Sequence, residues 1–358
     1  MAARVTANEE TAYYTDITDA FGSIGEGESA TVTLLCDVEL ETEKNIIISG
    51  DVTLEGQSFT LSGSHSTASS GMIIVPENAK LTVRSGNITN TTAGDDAYAY
   101  AICVNGGELI VDGGMLSGVT DSNFAAAGVY AMSGAVEIKS GTISGTNART
   151  GEPAYGMYAA SFVTVTVTGG TIKSSCDGLS IGSENAVLTG GTFTGDYRAI
   201  SCGTDSAGVG KLLQEGYAFY SGENVTGTPA YGVNTTSTTL PDGTYTVGRC
   251  GNHSYGGWSD AGAGNHTHVC EYCGTGETAA HNWTAWTEDE ETGKHIRTCP
   301  DCGAEESGEH KWGAWGADSL GNYIRTCENC DATETAAASV SRDGGRTAEY
   351  YISLEEAG

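Results

Sequence analysis

Apolar residues alternate with other residues in short runs throughout the region 71–203. In each of six runs the second and fourth residues are apolar, and the runs open at Gly71, Ala101, Gly128, Gly156, Gly178 and Ala199. A period of two is typical of β-strands, whose successive side chains point to opposite faces. Aligning the runs predicts a first inward column of Met72, Ile102, Val129, Met157, Leu179 and Ile200. It predicts a second inward column of Ile74, Val104, Ala131, Ala159, Ile181 and Cys202.

A second motif recurs between these runs and contains a glycine corner. Its spacing is apolar-x-apolar-x-x-Gly-x-apolar, as in Leu109, Val111, Gly114 and Leu116. A unit this short cannot close a hydrophobic core alone, so consecutive units must stack on one another. The sequence therefore predicts an all-β fold, a parallel β-helix (solenoid).

The repeats resemble the right-handed β-helix, or pectin-lyase-like, superfamily. Within it, the stretch 106–114 resembles the repeat motif of large surface proteins from Gram-positive gut bacteria. The resemblance covers roughly residues 31–245 and implies a right-handed coil and an extracellular location at the bacterial cell surface. It is specific for the fold and not for an activity, because one fold hosts many functions.

The remaining segments are predicted to flank this solenoid. Residues 1–30 are interpreted as an N-terminal cap, in which Asp16 begins a short helix that lays Ile17, Ala20 and Phe21 over the first turn. The β-helix with its closing strands is predicted over 31–248, and three zinc-ribbon-like repeats over 249–338. The last segment, 339–358, is interpreted as a linker and the truncated start of a second β-helix module, because 347–357 resembles 11–20. We therefore expect an excerpt of a longer tandem protein.

Three insertions precede successive strand openings, at 90–97, 120–127 and 146–154. Because they enter at the same point of the repeat, we expect them on one side of the solenoid, where solenoids often bind ligands. The candidate ligand-binding face consists of Tyr98, Phe124, Tyr130, Tyr155 and Tyr158. The plainer interpretation is that surface loops tolerate insertions.

Cysteine, histidine and tryptophan are concentrated between residues 250 and 330. This stretch holds seven of the 11 cysteines, six of the seven histidines and all five tryptophans. Three units repeat there, each with a leading histidine and a Cys-x-x-Cys pair. Two thiolates and imidazoles from the same unit supply the tetrahedral shell that Zn²⁺ prefers. The motifs also resemble the zinc-ribbon-like repeats that often follow β-helices in those surface proteins.

The sequence predicts two complete structural zinc sites and a third that is incomplete. The first set is His253, His266, Cys270 and Cys273. The second set is His281, His295, Cys299 and Cys302. The third is His310, Cys327 and Cys330, where Tyr323 replaces the second histidine.

The cysteine-rich region allows other interpretations. Cys250 is either free or an extension of the first site. A disulfide within each Cys-x-x-Cys gives the matched histidines no role, and a redox pair needs a βαβ setting that is absent. The tryptophans form either sugar-stacking platforms or a small core in each unit. The isolated His65 is expected in solvent.

The net negative charge of the chain disfavours negatively charged partners. The chain carries 46 acidic and 16 basic residues, a formal net charge of -30, which repels phosphate backbones and anionic membranes. No apolar run approaches the roughly 20 residues that span a bilayer. We expect no nucleic-acid binding and no direct membrane insertion by this segment. The expected partner is a host or microbial glycan or a surface protein.

The function that the resemblance implies is a non-catalytic extracellular structural or adhesion module, a rigid β-helix stalk with zinc-stabilised connectors. The alternative is a carbohydrate-binding module that uses the loop face. A polysaccharide lyase or hydrolase is less favoured, because the basic residues of 71–203 are scattered and that stretch contains no histidine.

Overall fold

The computed structural model describes residues 1–182, 185–203, 206–343 and 345–357. The chain divides into two compact units. The first unit comprises Met1–Ser254 together with Cys270–Thr275, and the second comprises Tyr255–Val269 together with Gly276–Gly358. Among the described residues, no helix has both the length and the apolar character needed to cross a membrane.

The first unit begins with a β-hairpin and a short helix. Its elements are β1 (Ala3–Ala7), β2 (Glu10–Tyr14) and α1 (Ile17–Gly22). The Asp16 carboxylate accepts a hydrogen bond of 2.7 Å from the backbone N–H of Thr18, which caps the helix. Ile17, Ala20 and Phe21 are buried against the rest of the unit, so the helix covers apolar surface as the sequence predicts.

A parallel β-solenoid of about five turns follows. Its strands are β3 (Ser29–Leu34), β4 (Val38–Glu39), β5 (Ile46–Ile47), β6 (Asp51–Gly63), β7 (Ile73–Pro76), β8 (Lys80–Thr91), β9 (Ala99–Thr120), β10 (Ala126–Asn147), β11 (Ala154–Ala159), β12 (Val163–Val167), β13 (Thr171–Ser174), β14 (Asp177–Ile181), β15 (Ala186–Leu188) and β16 (Thr192–Cys202). Consecutive turns are joined by parallel hydrogen bonding, for example between β9 and β10 and between β10 and β11. The all-β solenoid is therefore confirmed.

Strand registers confirm the predicted columns in every run but the first. The first inward column contains Ile102, Val129, Met157, Leu179 and Ile200. In the first run, however, Ile73 pairs with Ile102 and Val75 pairs with Val104. The prediction that Met72 and Ile74 fill these columns was wrong by one residue. Residues 72–75 are all apolar, so alternation alone could not fix the register there.

The second motif also stacks as predicted, with its glycines at tight corners. Gly114 has a φ of +76° and Gly141 a φ of +88°, a region that L-residues with a Cβ rarely occupy. A Cβ at Gly141 would lie 2.7 Å from the carbonyl oxygen of Gly114 in the turn below. The corner glycines thus allow the backbones of successive turns to approach closely.

The solenoid ends in antiparallel strands. After the 3-10 helix Val209–Leu212 come β17 (Tyr217–Ser221) and β18 (Thr239–Arg249). β18 pairs antiparallel with both β16 and β17, which closes the last parallel strand.

The second unit consists of small antiparallel sheets. Its elements are β19 (Ser259–Gly262), β20 (Asn265–Val269), β21 (Gly276–Ala280), β22 (Thr287–Asp289), β23 (Lys294–Thr298), β24 (Glu305–Gly308), β25 (Gly316–Ala317), β26 (Tyr323–Thr326), β27 (Thr333–Thr335), β28 (Ala338–Val340), β29 (Glu349–Tyr351) and α2 (Leu354–Ala357). Three sheets contain three strands each and correspond to the three repeats, while β28 and β29 form a two-stranded sheet.

Candidate metal centres and the aromatic face

Tight turns present the paired cysteines of each repeat. In the second repeat, β23 runs into a turn in which the backbone N–H of Gly303 donates to the Cys299 carbonyl at 2.8 Å. The N–H of Cys299 donates in turn to the Ala304 carbonyl at 2.8 Å, and the N–H of Cys327 donates to the Ala332 carbonyl in the same way. This repeated geometry directs two thiols toward one point in each repeat.

The first candidate centre lies entirely in the first unit and contains three cysteines. It groups Cys250, His253, Cys270 and Cys273, whose ligand atoms all lie within 4.8 Å of one another. Sγ of Cys273 is 3.3 Å from Nδ1 of His253, and Sγ of Cys250 is 4.0 Å from Sγ of Cys270. Cys250 directly follows the closing strand β18. Of the two alternatives for Cys250, the geometry favours an extension of the first centre.

The second candidate centre consists of two overlapping triplets that share His266. One triplet is His266, His281 and Cys302, and the other is His266, Cys299 and Asp301. Both ring nitrogens of His281 are buried without a hydrogen-bond partner among the described residues, and Nε2 lies 3.3 Å from the Asp260 carboxylate. A buried imidazole nitrogen without a partner is available as a metal donor.

The third candidate centre has four donors. It groups His295, His310, Cys327 and Cys330 within 4.8 Å. Nδ1 of His310 is 3.3 Å from Sγ of Cys330, and Nδ1 of His295 is 3.7 Å from Sγ of Cys327. The expectation of an incomplete third set is therefore corrected.

The histidine groupings differ from the sequence-based sets for a simple reason. His295 lies in β23, which runs directly into the turn that begins at Cys299. Four residues of extended strand span about 13 Å, so these two side chains cannot share one ion. The antiparallel partner strand β24 brings His295 opposite Gly308, two residues before His310. His266 has the same relation to His281, because it lies opposite Ala279.

The donor atoms fit a tetrahedral ion. Zn–S bonds of about 2.3 Å and Zn–N bonds of about 2.0–2.1 Å place neighbouring donors roughly 3.3–3.8 Å apart. The S···N distances of 3.3–3.7 Å fall in this range, and the S···S distance of 4.0 Å between Cys250 and Cys270 lies slightly above it. Within the described residues, the cysteines of all three turns are free thiols, so none of these pairs forms a disulfide. These clusters could therefore hold a metal ion.

Local hydrogen bonds favour thiolates at two of the cysteines. Burial raises the pKa of Cys327, but hydrogen bonds from the backbone N–H of Asn329 and from His310 and His295 outweigh burial and lower it to about 5. Burial likewise opposes ionisation of Cys270, yet hydrogen bonds that include the N–H of Cys273 bring its pKa to about 6. The thiolate is the form that binds metals.

The tryptophan rings of each repeat pack against one neighbouring side chain, which is arginine in the second and third repeats and histidine in the first. In the second repeat the Arg297 guanidinium lies 4.9 Å from the Trp283 ring and 4.6 Å from the Trp286 ring. Arg325 lies in the same way over Trp312 and Trp315. In the first repeat His268 takes this position, stacked on Tyr255 and Trp258. Of the two interpretations, the packing favours a small core in each repeat.

The aromatic residues of the predicted ligand face form a ladder. Tyr130 stacks between Tyr100 and Tyr158, with ring centroids 4.2 Å and 5.0 Å away, and Tyr98 stacks on Phe124 at 4.5 Å. Sequence reasoning missed Tyr100, which is buried. Because the rings stack on one another, the ring faces that a sugar would need are largely covered.

The three insertions meet on one side of the solenoid, as the sequence predicts. Arg149 pairs with Asp95, and the N–H of Gly94 donates to Asp121.

A concave site lies beside Tyr155, at the end of this ladder. Its volume is about 730 Å³, and its lining includes Arg149, Glu152, Tyr155, Asp196, Tyr197 and Arg198. The Tyr197 side chain is 64% exposed. Buried Asp177 accepts two hydrogen bonds from Arg198, at 2.9 and 2.7 Å, which fixes the guanidinium at this site. Sequence reasoning missed Tyr197, which lies in β16 and whose only signal is its place just before the last run, which opens at Ala199.

His65 is buried rather than solvated, so that expectation was wrong. Its exposed fraction is 5%, and its Nε2 lies 3.0 Å from the Ser70 hydroxyl. Its backbone N–H donates to the Asn90 side chain at 2.9 Å, and Asn90 donates back to the His65 carbonyl. His65 therefore belongs to a polar network between successive turns.

Comparisons with protein-family models, curated proteins and solved structures gave no match to this chain.

Proposed function

We propose that the chain is a non-catalytic structural module in which three Zn²⁺ ions stabilise the Cys/His repeats. The observation that carries this proposal is the convergence of thiols and imidazoles from different hairpins at three points. Thiolate and imidazole donors at tetrahedral spacing suit Zn²⁺ better than they suit Mg²⁺ or Ca²⁺, which prefer oxygen. The small aromatic core of each repeat cannot stabilise it alone, so metal binding would contribute roughly 10 kcal/mol to its folding.

A structural role follows from the donor count. The first centre would be Cys₃His, and the third would be Cys₂His₂ with His295 supplied by the preceding repeat. We propose that the two triplets that share His266 close on one ion, so that the second centre would also be Cys₂His₂, with His266 from the preceding repeat and Asp301 outside the shell. Four protein donors leave no open position for a water or a substrate, which a catalytic zinc requires. Each of the last two ions would join two consecutive repeats.

X-ray absorption at the zinc edge tests this assignment on the purified chain. The three centres contain seven sulfur and five nitrogen donors in total, so we expect a mixed shell with slightly more sulfur than nitrogen. A shell dominated by oxygen, or a chain that takes up no zinc and pairs its thiols, would contradict it.

The module is further proposed to act as a rigid stalk for adhesion or display at a bacterial surface. A solenoid with one continuous apolar core supports a rod-like role, and the resemblance to surface-protein repeats supports the location. Antibodies against the chain should label intact cells of the organism that encodes it. Labelling only after lysis would contradict the surface location.

Glycan binding is a second candidate function, favoured by the concave site beside Tyr155. The fixed Arg198 guanidinium lies 4.9 Å from the Tyr197 ring, and the other ring face, together with the Glu152 and Asp196 carboxylates, would offer an apolar surface and hydrogen-bonding groups for a sugar. On an array of neutral and acidic glycans, Tyr197→Ala should lose the binding of the native chain. Phe162→Ala is the matched control, because Phe162 is 84% exposed elsewhere in the first unit. Equal loss in both variants, or no binding by the native chain, would remove this candidate.

A further inference from the structure

The C-terminal segment 337–357, here the C-terminal hairpin–helix, repeats the geometry of residues 2–20, the N-terminal hairpin–helix. In the N-terminal copy Ala3 lies opposite Tyr14, and in the C-terminal copy Ala338 lies opposite Tyr351. The residue before each hairpin donates its N–H to that tyrosine carbonyl at 2.8 Å in both copies. Each helix then begins three residues after the tyrosine.

The helix starts are also capped alike. Asp16 accepts a hydrogen bond from the Thr18 N–H at 2.7 Å, and the Ser353 hydroxyl accepts one from the Glu356 N–H at 3.3 Å. Aligning the two copies on these positions matches the apolar residues Ala3 with Ala338, Val5 with Val340, Ile17 with Leu354, and Ala20 with Ala357. The two segments thus share the strand pairing at the tyrosine, the helix start and these four apolar positions, although the C-terminal strands are three residues long rather than five.

What differs is whether that surface is covered. Ile17 is 3% exposed, whereas its counterpart Leu354 is 76% exposed. In the N-terminal copy, β1 pairs on its second edge with β3, the first solenoid strand, in the antiparallel sense. In the C-terminal copy, β28 pairs only with β29 within the part of the chain that the structure describes. A strand edge and an apolar helix face are therefore both left open.

The opposite face of the C-terminal hairpin is already occupied. Tyr350 stacks on Tyr323 of the third repeat with ring centroids 4.3 Å apart. Tyr323 stands where the first two repeats have His266 and His295, so the last repeat uses this position to hold the hairpin rather than to supply a donor. The capping face, which carries Ala338 and Val340, is on the other side of the strand.

We propose that the C-terminal hairpin–helix is a docking surface for the first turn of a second parallel β-solenoid. The occupant is identified by the copy at residues 2–20, which covers such a turn in this same chain. A strand equivalent to β3 would add to the free edge of β28, and the apolar end of the turn would cover Leu354 and Ala357. The inference does not depend on whether the Cys/His clusters hold zinc.

A segment exchange tests this in the full chain. Three proteins are compared by thermal melting of the β-sheet circular dichroism signal: the native chain, a chain lacking residues 2–20, and a chimera in which 337–357 replaces 2–20. We expect the chimera to melt within about 5 °C of the native solenoid and clearly above the deletion variant. A chimera that melts like the deletion variant would overturn the proposal.

The Leu354→Asp substitution provides the matched control. In the native chain Leu354 is exposed, so the solenoid melting temperature should not change. At the N-terminus of the chimera the same substitution should lower that temperature by at least about 5 °C, and we expect Ile17→Asp to do the same in the native chain. An equal effect in both contexts would show that the segment does not cap the solenoid.

Discussion

Nδ1 of His266 lies 3.5 Å from Sγ of Cys299, 33 residues later in the sequence. The next repeat has the same relation, because Nδ1 of His295 lies 3.7 Å from Sγ of Cys327. Each of the last two candidate centres therefore draws one histidine from the repeat before it. A substitution in one repeat should consequently affect the metal centre of the next.

His266→Ala tests this connection. We expect the variant to bind one zinc ion fewer than the native chain and to expose Cys299 and Cys302 to a thiol reagent, because their centre has lost a donor. Cys270 and Cys273 should stay protected. Metal analysis and mass spectrometry of the labelled peptides provide the measurement.

The control is His268→Ala, which removes a histidine from the same strand. His268 stacks on Tyr255 and Trp258 and belongs to none of the clusters. This variant should keep its full zinc content. Labelling of Cys270 and Cys273 in His266→Ala, with Cys299 protected, would instead restore the grouping expected from the sequence.

Two neighbouring residues of β12 test the solenoid register. Val165 is buried in the core and Thr164 is exposed. Val165→Asp would bury a carboxylate without a partner and should lower the free energy of unfolding by about 4 kcal/mol. Thr164→Asp should change it by less than about 0.5 kcal/mol. Chemical denaturation of the two variants makes the comparison, and similar losses would mean that the register is wrong.

Gly141 and Gly151 allow the cost of an unfavourable φ angle to be separated from the cost of a clash between a side chain and the neighbouring turn. Gly141 and Gly151 both have a φ of +88°, but only at Gly141 would a Cβ meet backbone of the turn below. Substitution by alanine should cost about 1 kcal/mol at Gly151, from the conformation alone. At Gly141 the cost should be at least about 2 kcal/mol larger. Equal costs in denaturation experiments would contradict the tight corner.

Much of the solenoid was predictable because its signal is local. Alternation with a period of two selects the buried face of a strand, and the corner glycines mark where the chain turns from one face of the solenoid to the next. The register failed only where Ile73 lies in a run of apolar residues that offers no alternation. The burial of His65 was not predicted because it depends on hydrogen bonds to Asn90 in the next turn, and a local pattern does not contain such a contact.

Closeness in the sequence did not predict which histidines lie beside which cysteine pair. The cysteine pairs were recognisable because a turn of fixed length holds them. The histidines were grouped with the nearest cysteines, but an extended strand carries His295 away from Cys299 and an antiparallel neighbour brings it to His310. Only the strand pairing between hairpins contains that information, and the spacing of residues does not.

Native mass spectrometry of the purified chain at neutral pH counts the zinc ions that each chain holds. We expect three zinc ions bound to one chain, all released by acid, because protonation removes the thiolate and imidazole donors. A chain with fewer than three tightly bound zinc ions, or a metal-free chain whose mass shows paired thiols, would contradict it.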